Sequence, residues 1–204
     1  MTYQVPIRNP NGSGRGLLGN RDFSNCGKRV LLAALLLIWP SILAGCVSKR
    51  IVEPAVMPLT PDKTVVFKGA SPLQIVNAQN DAAAVVIHPE RFGAEYYGDM
   101  HDWTRLAISL LQSELSQRDI EVVPHARKKL ILRVINARLF FQSGMGNGPV
   151  YMRLSLELKS SSLPVTTLEG SYSASLLDKA AGGALASAVA ALLRNPAVTA
   201  FLKE

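Results

Sequence analysis

The chain has 204 residues, with 22 basic and 15 acidic side chains, a formal charge of +7 and two cysteines. Its length suits one domain with a sizeable core. There is no zinc-ligand spacing, and there is no basic and aromatic pattern of the kind that binds nucleic acid.

An apolar run near the N-terminus is the most informative local pattern. Lys28 and Arg29 precede the apolar residues 30–39, and Pro40 interrupts the run before Cys46. Positive charges, a short apolar segment and small residues are typical of a secretory signal. The run is too short to cross an apolar layer of about 30 Å as a helix. A core segment with a buried cysteine is the alternative, but the proline break favours the signal.

Cys46 directly follows Leu43-Ala44-Gly45, and this tetrapeptide resembles the bacterial lipobox. The resemblance implies that residues 1–45 are a signal peptide with an extended basic region and that Cys46 carries a thioether-linked diacylglycerol. In lipoproteins of this kind, an aspartate directly after the lipidated cysteine implies retention in the inner membrane. This chain has Val47 at that position, which favours the periplasmic face of the outer membrane. Without residues 1–45 the formal charge falls to near +3, and no pair of cysteines remains for a disulfide.

Residues 46–62 are predicted to form a tether, because Pro54, Pro58 and Pro61 favour extended backbone. At about 3 Å per residue, this tether would reach roughly 50 Å from the membrane. Residues 63–204 are then the periplasmic domain.

The first half of that domain is predicted to hold two strands and one helix. Residues 64–67 and 83–87 are the strand candidates, and residues 89–100 read as a loop. Apolar residues at three- and four-residue spacing predict a helix over 103–118, with Asp102 as its N-cap.

A short strand and a meander of three long strands, 129–141, 150–159 and 165–176, are predicted in the second half. Residues 120–123 are an edge-like strand, and residues 129–141 read as a central strand with both faces largely covered. Glycines at 144–148 predict a hairpin loop. Residues 150–159 alternate apolar and polar side chains, which is typical of a half-buried antiparallel strand.

The C-terminal part is predicted to return as a strand and end in helices. Residues 165–176 form the strand, with Gly170 as a candidate bulge. Asp178 is positioned to cap a helix over 179–194, and Asn195-Pro196 starts a short final helix. The fold class is therefore α+β: a mainly antiparallel sheet with two main helices packed on one face.

Few residues suggest chemistry. His88, His101 and His125 fall in different segments, without partners at metal-ligand spacing. Asp99 and Asp102 flank His101, which suggests either a small polar site or, more simply, a helix cap. No serine-nucleophile elbow or P-loop is present. We therefore predict a non-enzyme with no catalytic residue, no metal and no cofactor.

Two groups of apolar side chains are candidates for partner contact. Phe141 and Met145 lie at and beside the predicted hairpin tip, where exposed apolar residues often mark an interface; burial of the phenylalanine in the sheet is the alternative. Tyr96, Tyr97 and Trp103 gather before the first helix and would form either a binding patch or a small satellite core.

The order of elements resembles that of the YajG-like family of uncharacterised bacterial lipoproteins. The shared features are the lipobox, a Pro-bearing segment, a helix ending in the turn at 115–119, strand pairs, and an Ala-rich helix before residues 201–203. The resemblance implies no catalytic residues. The layout is also similar to auxiliary lipoproteins of ABC lipid transporters and to the lipopolysaccharide-assembly lipoprotein.

These patterns predict a lipid-anchored, non-catalytic binding or assembly accessory of the cell envelope. Its partners would be the membrane, through the N-terminal lipid, and an envelope protein or lipid, with no nucleic acid. An auxiliary role in lipid or lipopolysaccharide transport, using an apolar groove between helix and sheet, is the alternative. A hydrolase without a recognisable motif is a third hypothesis.

Overall fold

The computed structural model describes residues 47–59, 67, 69–79, 84–91, 93–142 and 148–204, all within a compact unit that spans 46–204. Cys46, most of the predicted strand at 64–67, and Met145 with most of the predicted hairpin loop lie outside these residues. The described part contains seven strands and three helices: β1 (Ser48–Ile51), β2 (Leu73–Asn77), β3 (Ala84–Arg91), β4 (Ala94–Asp99), α1 (Met100–Ser116), β5 (Lys128–Phe141), β6 (Val150–Lys159), β7 (Thr166–Ala174), α2 (Leu177–Arg194) and α3 (Pro196–Lys203).

A four-stranded sheet in the order β2-β5-β6-β7 forms the centre of the domain. The strands β5, β6 and β7 are antiparallel neighbours, and β2 is parallel to β5. Because successive side chains of a strand point to opposite faces, the alternating apolar residues of β6 all reach one side. These residues are Val150, Met152, Leu154, Leu156 and Leu158, each at most 5% exposed. The predicted half-buried strand is confirmed.

Both long helices pack on this apolar face. The α1 stripe of Trp103, Ala107, Leu111 and Leu115 is buried, and α2 lies mainly against β6 and β7 with eleven buried residues. The predicted α+β fold with two main helices on one face is confirmed. A second, three-stranded sheet in the order β1-β4-β3 was not predicted.

Gly170 is not a bulge. The β6–β7 register runs without a shift through the pair Leu154 and Gly170. A Cβ at Gly170 would lie 2.0 Å from the Ala184 carbonyl oxygen and 2.5 Å from the Ala188 nitrogen. The glycine is therefore needed because the backbone of α2 lies directly on β7 at this point.

The predicted loop at 89–100 is largely a strand. Gly93, at φ +71°, lies in the turn that reverses the chain from β3 into β4. In β4 the buried residues Ala94, Tyr96 and Gly98 alternate with half-buried ones. The tyrosines and glycines of this segment therefore pack as a sheet, which its turn-like composition concealed.

The first helix begins three residues earlier than predicted. Asp99, and not Asp102, is its N-cap: the Asp99 carboxylate accepts hydrogen bonds from the backbone N–H groups of His101 (2.9 Å) and Asp102 (3.2 Å). Capping therefore explains the polar cluster before the helix.

Two further predicted boundaries differ in the structure. Residues 120–123 form only an isolated bridge, between Val122 and Leu73. Helix α2 begins at Leu177 with no side-chain cap, and Asp178 lies in its first turn. For α3 the prediction is confirmed, because the Asn195 side chain caps the N–H groups of Ala197 and Val198.

The segment predicted to be a tether packs on the domain over residues 47–59. Strand β1 is parallel to β4, in a register that pairs Ser48 with Ala94 and Ile51 with Tyr97. Val52 is then 4% exposed, and its carbonyl accepts a hydrogen bond from the Trp103 indole at 3.2 Å. Strand β4 has an edge that can pair with another strand. The hydrogen bonds formed there by β1 outweigh the preference of the prolines for extended, solvated backbone.

The same segment continues to α2. The Ala55 nitrogen donates to the Asp178 carbonyl at 2.9 Å, and a Cβ at Gly182 would lie 2.0 Å from the Ala55 oxygen. Leu59 is 9% exposed. Residues 47–59, which we call the N-terminal segment, therefore join the second sheet to the long C-terminal helix.

Candidate binding surfaces

Of the two residues predicted to contact a partner, Phe141 is described by the structure and Met145 is not. Phe141 is half-buried, and its ring centroid lies 5.2 Å from that of His88 and 5.4 Å from that of Tyr96. The His88 Nδ1 atom is 2.7 Å from the Leu139 carbonyl oxygen. Phe141 thus helps join the two sheets, and a partner contact through its exposed part stays a prediction.

The aromatic residues before α1 are mainly core. Trp103 is 1% exposed and Tyr96 is buried. Tyr97 is half-buried; its hydroxyl donates to a Glu95 carboxylate oxygen at 2.6 Å, which raises the pKa of the tyrosine. The ring also lies 5.7 Å from the Lys49 ammonium. Of these three residues, only Tyr97 is therefore open to a ligand, on the central strand of the three-stranded sheet.

The face of the four-stranded sheet that lies away from the helices is open, contrary to the prediction that β5 is covered on both sides. Ile135 and Phe140 are 44% and 42% exposed. The rings of Phe140 and Tyr151 lie 6.0 Å apart across the two strands. We call this surface the outer sheet face.

Positive charge dominates the outer sheet face. Arg138 lies directly opposite Arg153 in the β5–β6 register, and both are exposed. Like charges at opposed positions destabilise a sheet, because the side chains start about 5 Å apart. An anionic partner would relieve this repulsion, so the charge pattern favours an acidic or phosphate-rich surface.

One ion pair on this face is well formed. Arg133 donates to both Glu157 carboxylate oxygens, at 2.8 and 3.1 Å, and the Lys159 ammonium lies 3.3 Å from the first of them. The Arg133 hydrogen bonds hold the pKa of Glu157 below its usual range. A paired, bidentate geometry of this kind is the strongest form of carboxylate recognition by a side chain.

This pair predicts an acid dependence of stability. Because the folded-state pKa of Glu157 is lowered, its contribution is present above the unfolded pKa of about 4.3 and is lost as pH falls through the folded value. We expect Arg133→Met to flatten the fall in unfolding free energy between about pH 5 and pH 3, measured by urea denaturation. Arg138→Met, which faces an arginine, is the control and should keep the wild-type slope. Equal slopes for wild type and Arg133→Met would contradict the assignment.

A cleft lies at the end of the four-stranded sheet where β2 and β5 begin and β6 ends. Its cavity volume is about 620 Å³, and its walls include Pro72, Arg127, Lys128, Ser161 and Phe201. We call it the basic cleft. This cleft was not predicted; the available signal was the run His125-Ala126-Arg127-Lys128-Lys129 before β5.

A second cleft of about 620 Å³ lies between the N-terminal segment and α1. Three of its charged groups already have roles: Asp102 pairs with Arg105 at 3.1 Å, and Asp99 caps the helix. Among the described residues, none of its lining side chains has a buried atom without a partner. This cleft therefore offers less unsatisfied binding capacity than the basic cleft.

The described part of the chain shows neither a metal-binding cluster nor a single membrane-spanning helix. There, no group of three or more His, Cys, Asp or Glu side chains is placed to hold a metal ion. No single helix among those residues is long and apolar enough to cross a membrane; α2 and α3 meet the criterion only together, by length and composition, with a 65° bend between them.

Comparison with known proteins yields similar solved structures but no family. No family model matches the sequence, and no curated protein does. The fold is similar to that of protein XCC0632 from Xanthomonas campestris, a bacterial protein of family DUF330, with a TM-score of 0.40 and 17% identity. The match covers 68% of this chain and 87% of that one. A likeness at this level supports no statement about function.

Proposed function

We propose that this protein is a YajG-like, lipid-anchored lipoprotein of the outer membrane. It would act on the periplasmic side as a non-catalytic binding or assembly accessory of the cell envelope. The observation that carries the anchoring is the signal-like run ending in Leu43-Ala44-Gly45-Cys46.

The start of the folded domain refines this proposal. Strand β1 begins at Ser48, two residues after Cys46. Two residues of extended chain span at most about 7 Å. A lipid on Cys46 would therefore hold the edge of the three-stranded sheet against the membrane surface, instead of holding the domain at the end of a long tether.

The binding role is supported by the outer sheet face. The exposed Phe140 and the half-buried Tyr151 offer apolar contact area, and the opposed Arg138 and Arg153 offer charge. Aromatic and arginine side chains are the residues that most often dominate protein interfaces. Phe141 and Met145 remain candidate contacts at the neighbouring hairpin.

Substitution of the cysteine tests the anchor. We expect Cys46→Ser to release the protein from the membrane fraction and to abolish incorporation of labelled palmitate, because a serine hydroxyl cannot form the thioether. Cys26→Ser is the matched control, since Cys26 would leave with the signal peptide and both readouts should be unchanged. A Cys46→Ser protein that still fractionates with the outer membrane would refute lipid anchoring at this residue.

An auxiliary role in lipid or lipopolysaccharide transport is the second candidate. The observation in its favour is the basic cleft, whose walls combine Arg127 and Lys128 with the apolar Pro72 and Phe201. Such a lining suits an amphiphile with an anionic head group. Native mass spectrometry of the purified protein should then detect a co-purifying lipid, and its absence would favour the assembly role.

A further inference from the structure

The basic cleft is lined by Lys128, which has a buried polar atom without a partner, and a second such atom belongs to Ser160, the residue before the lining residue Ser161. Among the described residues, the Lys128 ammonium nitrogen and the Ser160 hydroxyl oxygen are shielded from solvent and have no hydrogen-bond partner. Leaving a buried polar group unsatisfied costs about 1–3 kcal/mol, and more for a charged group. Atoms of this kind are expected where a ligand supplies the missing partner.

The sheet register places these two side chains on the same face of the sheet. Lys159 is opposite Ile131, so the next residue along, Ser160, lies beside Leu130. Side chains alternate along each strand, which places Lys128 and Ser160 on the same, helix-facing side at the end of neighbouring strands. Ser161 and Ser162 follow directly and line the cleft.

The positive charge of Lys128 is only partly stabilised by the groups around it. Its ammonium lies 4.9 Å from the centre of the Phe201 ring, which provides a cation–π contact. Burial lowers the pKa of Lys128, and the negative charge of Glu204 opposes this effect without reversing it. The lysine therefore lacks a counter-charge close enough to restore its usual pKa.

The remaining polar groups of the cleft are mostly donors. His125 and Arg127 are exposed on one wall, and the hydroxyls of Ser161 and Ser162 lie on another. Glu204 is the single acidic side chain of the lining, against the cations of Arg127 and Lys128. The volume of about 620 Å³ is in the range of small-molecule sites.

We propose that the basic cleft binds a phosphate group, held by Lys128 and Arg127 with the hydroxyls of Ser161 and Ser162. Phosphate matches this donor set because it offers several acceptor oxygens and up to two negative charges. The apolar wall formed by Pro72 and Phe201 would accommodate the group esterified to the phosphate. The site does not depend on lipid attachment at Cys46, so failure of one proposal leaves the other standing.

Titration calorimetry of the full chain in an uncharged detergent tests the site. The probes are inorganic phosphate, glycerol 3-phosphate, and phosphatidic acid in micelles of the same detergent. We expect saturable binding of phosphate, weakened at least about tenfold by Lys128→Met, as loss of a charge-assisted hydrogen bond implies. Lys129→Met is the matched control: it removes the adjacent, exposed lysine from the opposite face of β5 and should change the affinity by less than about twofold.

Arg127→Gln provides a second variant whose folding is not at risk, because Arg127 is exposed. It should also weaken phosphate binding several-fold. Tighter binding of phosphatidic acid than of glycerol 3-phosphate would identify a lipid head group as the source of the phosphate, and equal binding would identify a soluble ester. Absence of saturable phosphate binding, or equal losses in Lys128→Met and Lys129→Met, would overturn the proposal.

Discussion

Replacing Gly170 by alanine should lower the free energy of unfolding by about 3 kcal/mol, at the upper end of what overpacking normally costs. The new Cβ would lie 2.0 Å from the Ala184 oxygen and 2.5 Å from the Ala188 nitrogen. Both are backbone atoms of α2, so no side-chain rotation can relieve the overlap. The helix would have to move off β7, which would loosen its packing on β6 as well.

Urea denaturation of wild type and variant measures this effect. Gly183→Ala is the matched control: its Cβ would meet the Tyr172 ring at 2.3 Å, but Tyr172 is 42% exposed and can turn away. Alanine is also favoured over glycine inside a helix by about 1 kcal/mol. The new Cβ also lies 2.3 Å from the Tyr172 Cγ atom, so the tyrosine must change its χ1 rotamer. We therefore expect Gly183→Ala to cost less than Gly170→Ala, because a side chain and not a backbone has to move. A Gly170→Ala protein as stable as this control would show that α2 does not lie so close to β7.

Thr104→Val should lower the free energy of unfolding by about 2 kcal/mol, the cost of one buried, unsatisfied backbone donor. Thr104 is fully buried on α1. Its hydroxyl donates to the Met100 carbonyl at 2.7 Å and accepts from the Val134 N–H at 2.9 Å. Val134 lies where the β5–β6 register shifts, so the threonine provides a partner for its backbone N–H. Valine has nearly the same shape but cannot accept that hydrogen bond.

Thr104→Ser separates the hydroxyl from the methyl group. Serine keeps both hydrogen bonds and loses one buried methyl, at a cost of about 0.8 kcal/mol. The expected order of stability is therefore wild type, then Thr104→Ser, then Thr104→Val, in thermal or urea unfolding. A serine variant less stable than the valine variant would mean that methyl packing, and not the hydrogen bond to β5, is the larger contribution.

Several elements could be predicted because their signals are local. The period of two in β6 and the three- and four-residue spacing in α1 each follow from which side chains share a face. The start of α3 was also predictable, since Asn195 and Pro196 cap and begin a helix through contacts within a few residues. In the same way, the lipobox-like sequence before Cys46 can be recognised without any knowledge of the fold.

Other features depend on residues far apart in the chain. Strand β4 has the tyrosines and glycines of a loop and becomes a strand because β3 and β1 pair with its two edges. The N-terminal segment has the prolines of a linker but packs on the domain through hydrogen bonds to Tyr97, Trp103 and Asp178. Propensity acts on single residues and is weak, whereas sheet pairing and burial act together and outweigh it.

The candidate sites likewise depend partly on local sequence signals and partly on contacts between distant residues. The periodicity of the segments and the signal-like motif are both patterns of neighbouring residues. They alone predict an α+β domain behind a signal-like leader. The placement of Lys128 and Ser160 on one face, and the pairing of Arg138 with Arg153, follow from the register of β5 against β6. A shift of one residue in that register would send each side chain to the other face. Long-range packing sets the register, so the basic cleft and the outer sheet face emerge only when the strands are assembled.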